Sequence, residues 1–240
     1  MRIAVLSDIH SNLAALDAVL QHVGSVDAIW HLGDVVGYGP DPDAVVARLV
    51  ERSATGVRGN HDAAAIGGRE IDWFNSDARA AAEWTRDTIS GETRRWLGEL
   101  PERLAVDDIT LVHGSPRDPL REYVTDGMTA AENIEALRTR HGLHGHTHVP
   151  VAWVATPERI VLVRAKDDLR IDLDPNRTLL NPGSVGQPRD GDPRAAYLVL
   201  DLEARIVSWH RVEYNVAPVQ AAIRAAGLPG RLADRLAFGE

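Results

Sequence analysis

The N-terminal half of the sequence alternates short apolar runs with segments of helical periodicity. The run "RIAVLSD" ends in polar residues, and "SNLAALDAVLQHV" then places four apolar residues on one helical face: Leu13, Leu16, Leu20 and Val23. The runs "VDAIWHLGD" and "ATGVRGNHD" predict two further strands, with the helix "DPDAVVARLVER" between them and Asp41 or Asp43 as its cap. Strand, helix and strand in alternation predict parallel pairing and an α/β layered fold.

Strands dominate the C-terminal half. The segment "RLAVDDITLVHG" predicts a hairpin around Asp107 and Asp108, and "TAAENIEALRTRHG" predicts a helix with His141 in its last turn and Gly142 closing it. The runs "VAWVAT", "RIVLVRA", "TLLNPG", "AAYLVLD" and "RIVSWHRVEY" predict a second sheet, with polar connections at 166–177 and 187–194. We expect a single domain over residues 1–240, with 218–240 as a helical tail packed on it.

The segment 62–76 is rich in glycine and alanine and carries Trp73 and Phe74, which predicts a loop that covers a site. The segment "DARAAAEWTRDTI" resumes helical spacing after Ser76, which is a candidate cap.

Composition narrows the class of protein. A hydrophobic content of 44% with 25% charged residues is typical of a soluble globular protein. The net charge of -9 disfavours non-specific capture of long nucleic acids. The sequence has no cysteine, so a transition-metal site would use histidine, carboxylate and amide ligands. No apolar run approaches the roughly 18 residues of a membrane helix, and the first one is too short for a signal peptide. We therefore expect a cytoplasmic protein without a membrane partner.

Candidate metal ligands follow five of the apolar runs, in "SDIH", "LGD", "RGNHD", "LVHG" and "GHTH". They are Asp8, His10, Asp34, Asn60, His113, His146 and His148. Open α/β sheets place their ligands at such strand ends. Each residue taken alone is explained by a cap, a turn or a hydrogen-bonded histidine. Five such events in this order are very improbable as independent turns and caps.

The ordered set D-x-H, G-D, G-N-H-D, H and G-H-x-H resembles the motifs of the calcineurin-like metallophosphoesterase superfamily. This resemblance implies a four-layer α-β-β-α sandwich of two mixed sheets flanked by helices. It implies one metal held by Asp8, His10 and His148. It implies a second metal held by Asn60, His113 and His146, with Asp34 bridging both. His61 would be the catalytic residue near the leaving group, with Asp62 as a candidate to orient its ring. The segment "NPGSVGQPRD" looks like the glycine-rich segment of bacterial phosphodiesterases in that superfamily.

The chemistry of these residue types independently supports a two-metal phosphoesterase site. Two divalent ions held close together polarise phosphoryl oxygens and lower the pKa of a shared water, which makes hydroxide available near neutral pH. Carboxylate, amide and imidazole ligands favour Mn, with Fe, Zn or a mixed pair as alternatives. The hydroxide would attack phosphorus in line while a histidine opposite, His61, protonates the leaving alkoxide.

Four further residues are candidates for binding substrate: Arg189, Tyr38, Arg58 and Arg117. Arg189 and the backbone amides of "NPGSVGQPRD" could reach phosphate oxygens, or the segment could be only a tight turn. Arg58 and Arg117 could neutralise phosphate, although a surface position is the commoner outcome for an arginine. Tyr38 could form a wall or a stacking surface for the substrate, or it could only pack the loop. We interpret His144 as structural, because the motif supplies no third ligand there. After Asp34 the sequence lacks the Asp-Arg-Gly of the Ser/Thr protein phosphatases and the diadenosine tetraphosphatases, which argues against both.

The leading hypothesis is a metal-dependent phosphodiesterase that cleaves a small phosphorylated substrate such as a nucleotide. One alternative is a nuclease that acts on short oligonucleotides, since the acidic balance disfavours a long basic groove. The other is a metal-binding scaffold without turnover, although all seven candidate ligands and His61 are present. The sequence is also compatible with a homo-oligomer.

Overall fold

The computed structural model describes residues 1–240 and contains twelve strands and eight α-helices. In chain order the strands are β1 (Arg2–Leu6), β2 (Ala28–His31), β3 (Thr55–Gly56), β4 (Arg103–Val106), β5 (Ile109–Val112), β6 (His141–Leu143), β7 (Val151–Ala155), β8 (Ile160–Arg164), β9 (Arg170–Asp172), β10 (Arg177–Asn181), β11 (Ala195–Asp201) and β12 (Ile206–Val212). The helices are α1 (Leu13–Val23), α2 (Pro42–Glu51), α3 (Asn60–Ala65), α4 (Ser76–Thr88), α5 (Gly91–Glu99), α6 (Gly127–Ala136), α7 (Val216–Ala225) and α8 (Gly230–Asp234). Two short 3-10 helices cover Arg69–Trp73 and Arg235–Ala237.

The strands form two mixed sheets of six, ordered β3-β2-β1-β11-β12-β9 and β4-β5-β6-β10-β7-β8. In the first sheet β1 is parallel to β2 and antiparallel to β11. In the second sheet β6 is parallel to both β5 and β10. The assignment of "AAYLVLD" and "RIVSWHRVEY" to the second sheet was wrong: these strands, β11 and β12, extend the first sheet because β11 pairs with the free edge of β1.

Strand β1 shows how the layers are held together. Ile3 and Val5 belong to the apolar cluster between the two sheets, whereas Ala4 and Leu6 pack in the cluster beneath the helices. Since successive side chains of a strand point to opposite faces, both faces of β1 are buried, and this explains its uninterrupted apolar run. Helix α6 packs against β7, β8 and β10 on the outer face of the second sheet. The expected four-layer α-β-β-α arrangement is confirmed.

Several predicted elements differ from those observed. The helix predicted to end at Gly142 ends at Ala136, and His141 begins strand β6 instead. The predicted loop 62–76 contains most of α3 and the 3-10 helix Arg69–Trp73. The cap of α4 is Asn75 rather than Ser76, because its side-chain oxygen accepts the amide hydrogen of Ala78. The polar connection 166–177 includes strand β9.

The C-terminal helices α7 and α8 pack with α4 in a separate apolar cluster that includes Tyr38. Helix α7 begins at Val216, two residues before the expected start of the tail. None of the helices combines the length and the apolar character needed to cross a membrane.

Candidate metal centre

The five motif segments lie just beyond the C-terminal ends of strands. Asp8 and His10 follow β1, and Asp34 follows β2; Asn60 begins α3 after β3. In the second sheet the equivalent positions hold His113 after β5 and His146 after β6. Because these strands are parallel within each sheet, their C-terminal ends meet at one edge, as the sequence predicts.

The candidate ligands form two groups of three whose ligand atoms lie within 4.8 Å of one another. The groups are Asp8 with His10 and His148, and Asp34 with His113 and His146. All six residues are buried. The amide oxygen of Asn60 joins the second group, 2.8 Å from His113 Nε2. Asp34 lies between the groups, since its Oδ2 is 3.7 Å from His10 Nε2 and 3.3 Å from His113 Nε2.

Each of the four candidate histidines directs one ring nitrogen at a backbone carbonyl. The Nδ1 atoms of His10, His113 and His148 donate to the carbonyls of Val36, Leu32 and Gln187. His146 donates from Nε2 to the carbonyl of Arg121. A carbonyl can only accept, so in the neutral rings of His10, His146 and His148 the opposite nitrogen carries a lone pair, and these lone pairs converge. Although burial lowers the pKa of His113, the Asp34 carboxylate raises it to about 9, so the opposite nitrogen of that ring holds a proton that a cation would replace. This is the arrangement of metal-ligating histidines, so the residues present fit a pair of divalent cations.

Backbone conformation at the centre is unusual. Five of the seven candidate ligands have positive φ: Asp8, His10, Asp34, His146 and His148. Residues other than glycine adopt this region rarely, at a cost of about 1–3 kcal/mol each where the region is sparsely populated. The surrounding packing must supply this energy, and such strain clusters at functional sites.

The glycines of the motifs allow the loops to approach closely. A Cβ atom on Gly59 would lie 2.1 Å from Oδ1 of Asp34, and one on Gly145 would lie 2.8 Å from Oδ2 of Asp8. Real Cβ atoms essentially never make contacts under 3.0 Å. Glycine is therefore required at both positions, because a neighbouring candidate ligand occupies the space that a side chain would fill.

Burial dominates the electrostatics of the centre. It holds the pKa of His10, His146 and His148 well below the usual histidine range, which keeps these rings neutral and able to bind a cation. Burial also raises the pKa of Asp8 to about 7. Burial by itself would raise the pKa of Asp34, but the rings of His113 and His61 hold it below its usual range. A carboxylate that is 1% exposed and remains ionised favours a cation beside it.

His61 lies beside the first group, 5.0 Å from His10 between ring centroids. Its ring stacks on Phe74 and contacts Tyr38, and its buried Nδ1 has no hydrogen-bond partner. Asp62 does not orient this ring, contrary to expectation. The Asp62 carboxylate instead accepts the backbone amides of Val36 and Gly59, so it ties together the loops after β2 and β3.

The segment "NPGSVGQPRD" holds the Asp8 loop in place. The amides of Val185 and Gly186 donate to the carbonyls of Ser7 and Asp8. These amides are therefore not free for a phosphate, as one interpretation of the sequence had them. Arg189 donates to the side chain of Gln187 and lies 5.8 Å from the ring of Tyr38. His144 belongs to neither group; it is buried with its Nδ1 3.4 Å from the Asn181 amide.

The other two predicted substrate-binding arginines do not join the centre. Arg58 donates to Glu102 and approaches the carbonyl of Gly98, and Arg117 pairs with Glu132 and Glu122. Carboxylates from other parts of the chain bind these two guanidinium groups. The positions of the two arginines next to the motifs in the sequence therefore did not predict where their side chains point.

A cavity of about 270 Å³ adjoins the centre and contains residues that the sequence did not single out for substrate binding. We call it the aromatic cavity. Its walls are Asn60, Glu70, Trp73, Phe74, Leu120, Arg121, Tyr123 and His146. The position of Trp73 and Phe74 in the segment expected to cover a site was the only signal for it. Arg121 and Tyr123 lie in an irregular segment before α6 that shows no periodicity.

The fold and the two groups of ligands define a metal-dependent phosphoesterase. The chain belongs to the calcineurin-like phosphoesterase superfamily, whose domain model matches residues 1–205. It is similar to the metallophosphoesterase from Sphaerobacter thermophilus, whose crystal structure has 44% identity and a TM-score of 0.92 over 100% of this chain and 99% of that one. An uncharacterized protein of Methanocaldococcus jannaschii, MJ0912, is 34% identical over 99% of this chain and 98% of its own length. Phosphodiesterase YfcE of Escherichia coli K12 is 29% identical over 84% of this chain and 88% of its own length.

Proposed function

We propose that this protein is a phosphodiesterase that depends on two divalent metal ions and cleaves a small phosphorylated substrate such as a nucleotide. The position of Asp34 carries the proposal. Its carboxylate lies between the two groups of candidate ligands, within 3.7 Å of a histidine from each. A carboxylate in this position is suited to bind both ions rather than only one. The name of the YfcE relative supports a diester as the substrate.

Asp8, His10 and His148 would hold one ion, and Asn60, His113 and His146 the other, with Asp34 shared. Bound there, the pair would polarise the phosphoryl oxygens and make a hydroxide nucleophile available near neutral pH. We propose Mn as the native metal because the donor set is oxygen and imidazole without thiolate, with Fe, Zn or a mixed pair as the alternatives.

His61 is proposed to protonate the leaving alkoxide. Its ring is 5% exposed, and Phe74 and Tyr38 hold it by stacking and tilted ring contacts. Proton transfer from a histidine positioned in this way typically contributes 10²- to 10⁴-fold to a rate. Asp62 acts indirectly by fixing the loop that carries His61.

Arg189 is proposed to bind a phosphate oxygen. Its guanidinium is held by Gln187 and lies near the ring of Tyr38, and its backbone amide is 3.4 Å from the carbonyl of His148. It therefore places a permanent positive charge beside the candidate ligands. Tyr38 then forms a wall of the site, with its ring 4.6 Å from that of His10.

Hydrolysis of a panel of nitrophenyl monoesters, nitrophenyl diesters and cyclic nucleotides tests the proposal. The protein is stripped with a chelator and reloaded with Mn, Mg, Zn or Fe. We expect no turnover without metal, restoration by Mn to a higher rate than by Mg, and faster cleavage of diesters than of monoesters. Turnover by the stripped protein would refute the metal requirement, and a preference for monoesters would make the protein a phosphomonoesterase.

A further inference from the structure

The aromatic cavity opens directly onto the candidate metal centre. Two of its wall residues, Asn60 and His146, are candidate ligands of the second ion. Two of its aromatic rings stack on histidines of the centre: Tyr123 on His146 at 3.7 Å between ring centroids, and Phe74 on His61 at 4.4 Å. A group attached to a phosphate bound at the centre would therefore enter this cavity.

Two large rings in the cavity walls remain open to solvent. Trp73 is 59% exposed and Tyr123 is 50% exposed. One face of Tyr123 is covered by His146, and the guanidinium of Arg121 covers one face of Trp73 at 3.8 Å from the ring centroid. Each ring is thus fixed from one side and retains surface for a further stacking partner. Rigid rings with an open face are effective stacking platforms, because ordering them on binding costs little side-chain entropy.

The polar groups of the cavity are balanced in charge. Arg121 lies 3.5 Å from Glu70, whose side chain is largely buried, so the walls present neither an unpaired anion nor an unpaired cation. A cavity of about 270 Å³ is slightly smaller than the roughly 300–1,000 Å³ that encloses a drug-sized ligand. These properties suit one neutral planar ring system better than a second phosphate or a long chain.

We propose that the aromatic cavity binds a planar aromatic ring of the substrate, such as the base of a nucleotide, against Trp73 and Tyr123. The inference rests on the proposed function in placing the phosphate at the metal centre. It assigns specificity to residues outside the motifs and narrows the substrate class to phosphoesters that carry an aromatic ring near the phosphate.

Binding of two product-like ligands to the Mn-loaded protein tests the inference. Adenosine 5′-monophosphate and ribose 5-phosphate share a phosphate and a sugar and differ in the base. Calorimetry gives both dissociation constants without reference to turnover. We expect adenosine 5′-monophosphate to bind at least about tenfold more tightly, within the range measured for stacking of one base on an aromatic side chain.

Ring removal should erase this preference. In Trp73→Ala and Tyr123→Ala the ratio of the two dissociation constants should fall towards one, and in Trp73→Ala ribose 5-phosphate should bind as in the wild type. Trp73→Phe and Tyr123→Phe keep a ring and should keep most of the preference. Phe238→Ala is the matched control, because it removes a ring that is 64% exposed but does not line the cavity. Metal content is measured in each variant, since Tyr123 contacts His146.

The outcomes separate this inference from the proposed function. Equal binding of the two ligands by the wild type overturns the inference, as does a preference that survives when Trp73→Ala and Tyr123→Ala are combined in one protein. Either outcome leaves the phosphodiesterase proposal intact if metal-dependent hydrolysis of bis-p-nitrophenyl phosphate is observed. Conversely, a base preference that depends on Trp73 without any hydrolysis supports the cavity and refutes the proposed activity.

Discussion

The Nε2 atoms of His10 and His148 lie 3.2 Å apart, and neither carries a proton, because each ring donates its Nδ1 hydrogen to a backbone carbonyl. In the second group His113 Nε2 lies 3.0 Å from His146 Nδ1 and 3.3 Å from Asp34 Oδ2, and although burial lowers the pKa of His113, the Asp34 carboxylate raises it to about 9, so that this ring holds a proton. Lone pairs held face to face in a buried site repel each other. A bound cation would relieve the repulsion between His10 and His148 and would replace the proton of His113, so metal binding and folding stability should be linked.

Divalent metal should therefore stabilise the fold. At a free concentration 100 times its dissociation constant, an ion stabilises the native state by about 2.7 kcal/mol. For a chain of this length that corresponds to a rise in Tm of roughly 5–10 °C. Differential scanning calorimetry of chelator-treated protein with and without Mn measures the shift. His148→Ala should lower the metal content from two ions to about one and reduce the shift, while His22→Ala, an exposed control, should change neither. Identical melting with and without Mn would contradict the fit of the site to metal.

Asp34→Asn should disable hydrolysis while preserving the fold. The substitution keeps an oxygen that can accept the amide of His61, which Oδ1 now does at 2.8 Å, but it removes the negative charge between the two groups. Loss of a bridging charge should cost several kcal/mol of transition-state stabilisation, or about 100-fold or more in kcat. Steady-state kinetics with metal analysis of the same sample provides the measurement. Wild-type turnover in a metal-loaded variant would exclude Asp34 as a bridge.

His61→Ala should retain both ions and lose the proton donor. Turnover of substrates with poor leaving groups, such as alkyl phosphodiesters, should fall about 100-fold or more. Substrates that release p-nitrophenolate need little protonation and should be affected much less. Kinetics on such a pair, with metal content measured in parallel, distinguishes these effects. Loss of metal in the variant would show that His61 is a ligand rather than the acid.

The motif residues could be predicted from the sequence because the apolar runs mark the strands and the parallel topology brings the ends of these strands together. A run such as "RIAVL" predicts a buried strand, and parallel strands bring their C-terminal ends to one edge. The polar residues that follow β1, β2, β3, β5 and β6 therefore converge whatever the details of the loops. The positive φ angles of Asp8 and His10 could not be predicted in this way, because they depend on loops that close around the centre.

Residues whose contacts come from distant segments could not be predicted. Arg58 was a candidate to neutralise phosphate, but Glu102 from the chain between α5 and β4 binds its guanidinium. Tyr123 was missed because no periodicity marks its segment. A partly buried network positions that segment: Glu122, the residue before Tyr123, accepts hydrogen bonds from Ser115 and from Asn133 of α6. Such contacts join residues that are 7 and 11 positions apart and leave no pattern in the sequence.

Gly59→Ala should abolish activity although the change adds one methyl group. Its Cβ would lie 2.1 Å from Oδ1 of Asp34 and 2.3 Å from its backbone nitrogen, so the loops after β2 and β3 must separate. A misplacement of about 1 Å in a catalytic constellation costs on the order of 100-fold in rate. Gly98→Ala is the matched control, since nothing lies within 4 Å of a Cβ there, in helix α5, and alanine should be neutral or stabilise by up to about 1 kcal/mol. Comparable activity of the two variants would disprove the close-approach argument.

His31 should make the protein sensitive to acid. The ring is fully buried in β2 and neither of its nitrogens has a partner, so burial lowers its pKa to about 4. A histidine in the unfolded chain titrates near 6.5, so protons bind the unfolded state more tightly, and stability falls as the pH drops from about 6.5 to 4. The difference corresponds to about 3 kcal/mol. His31→Leu should remove this part of the acid dependence, because leucine stays neutral in both states. Urea unfolding at several pH values between 4 and 7 tests this, and parallel stability curves for wild type and variant would rule out His31 as the source.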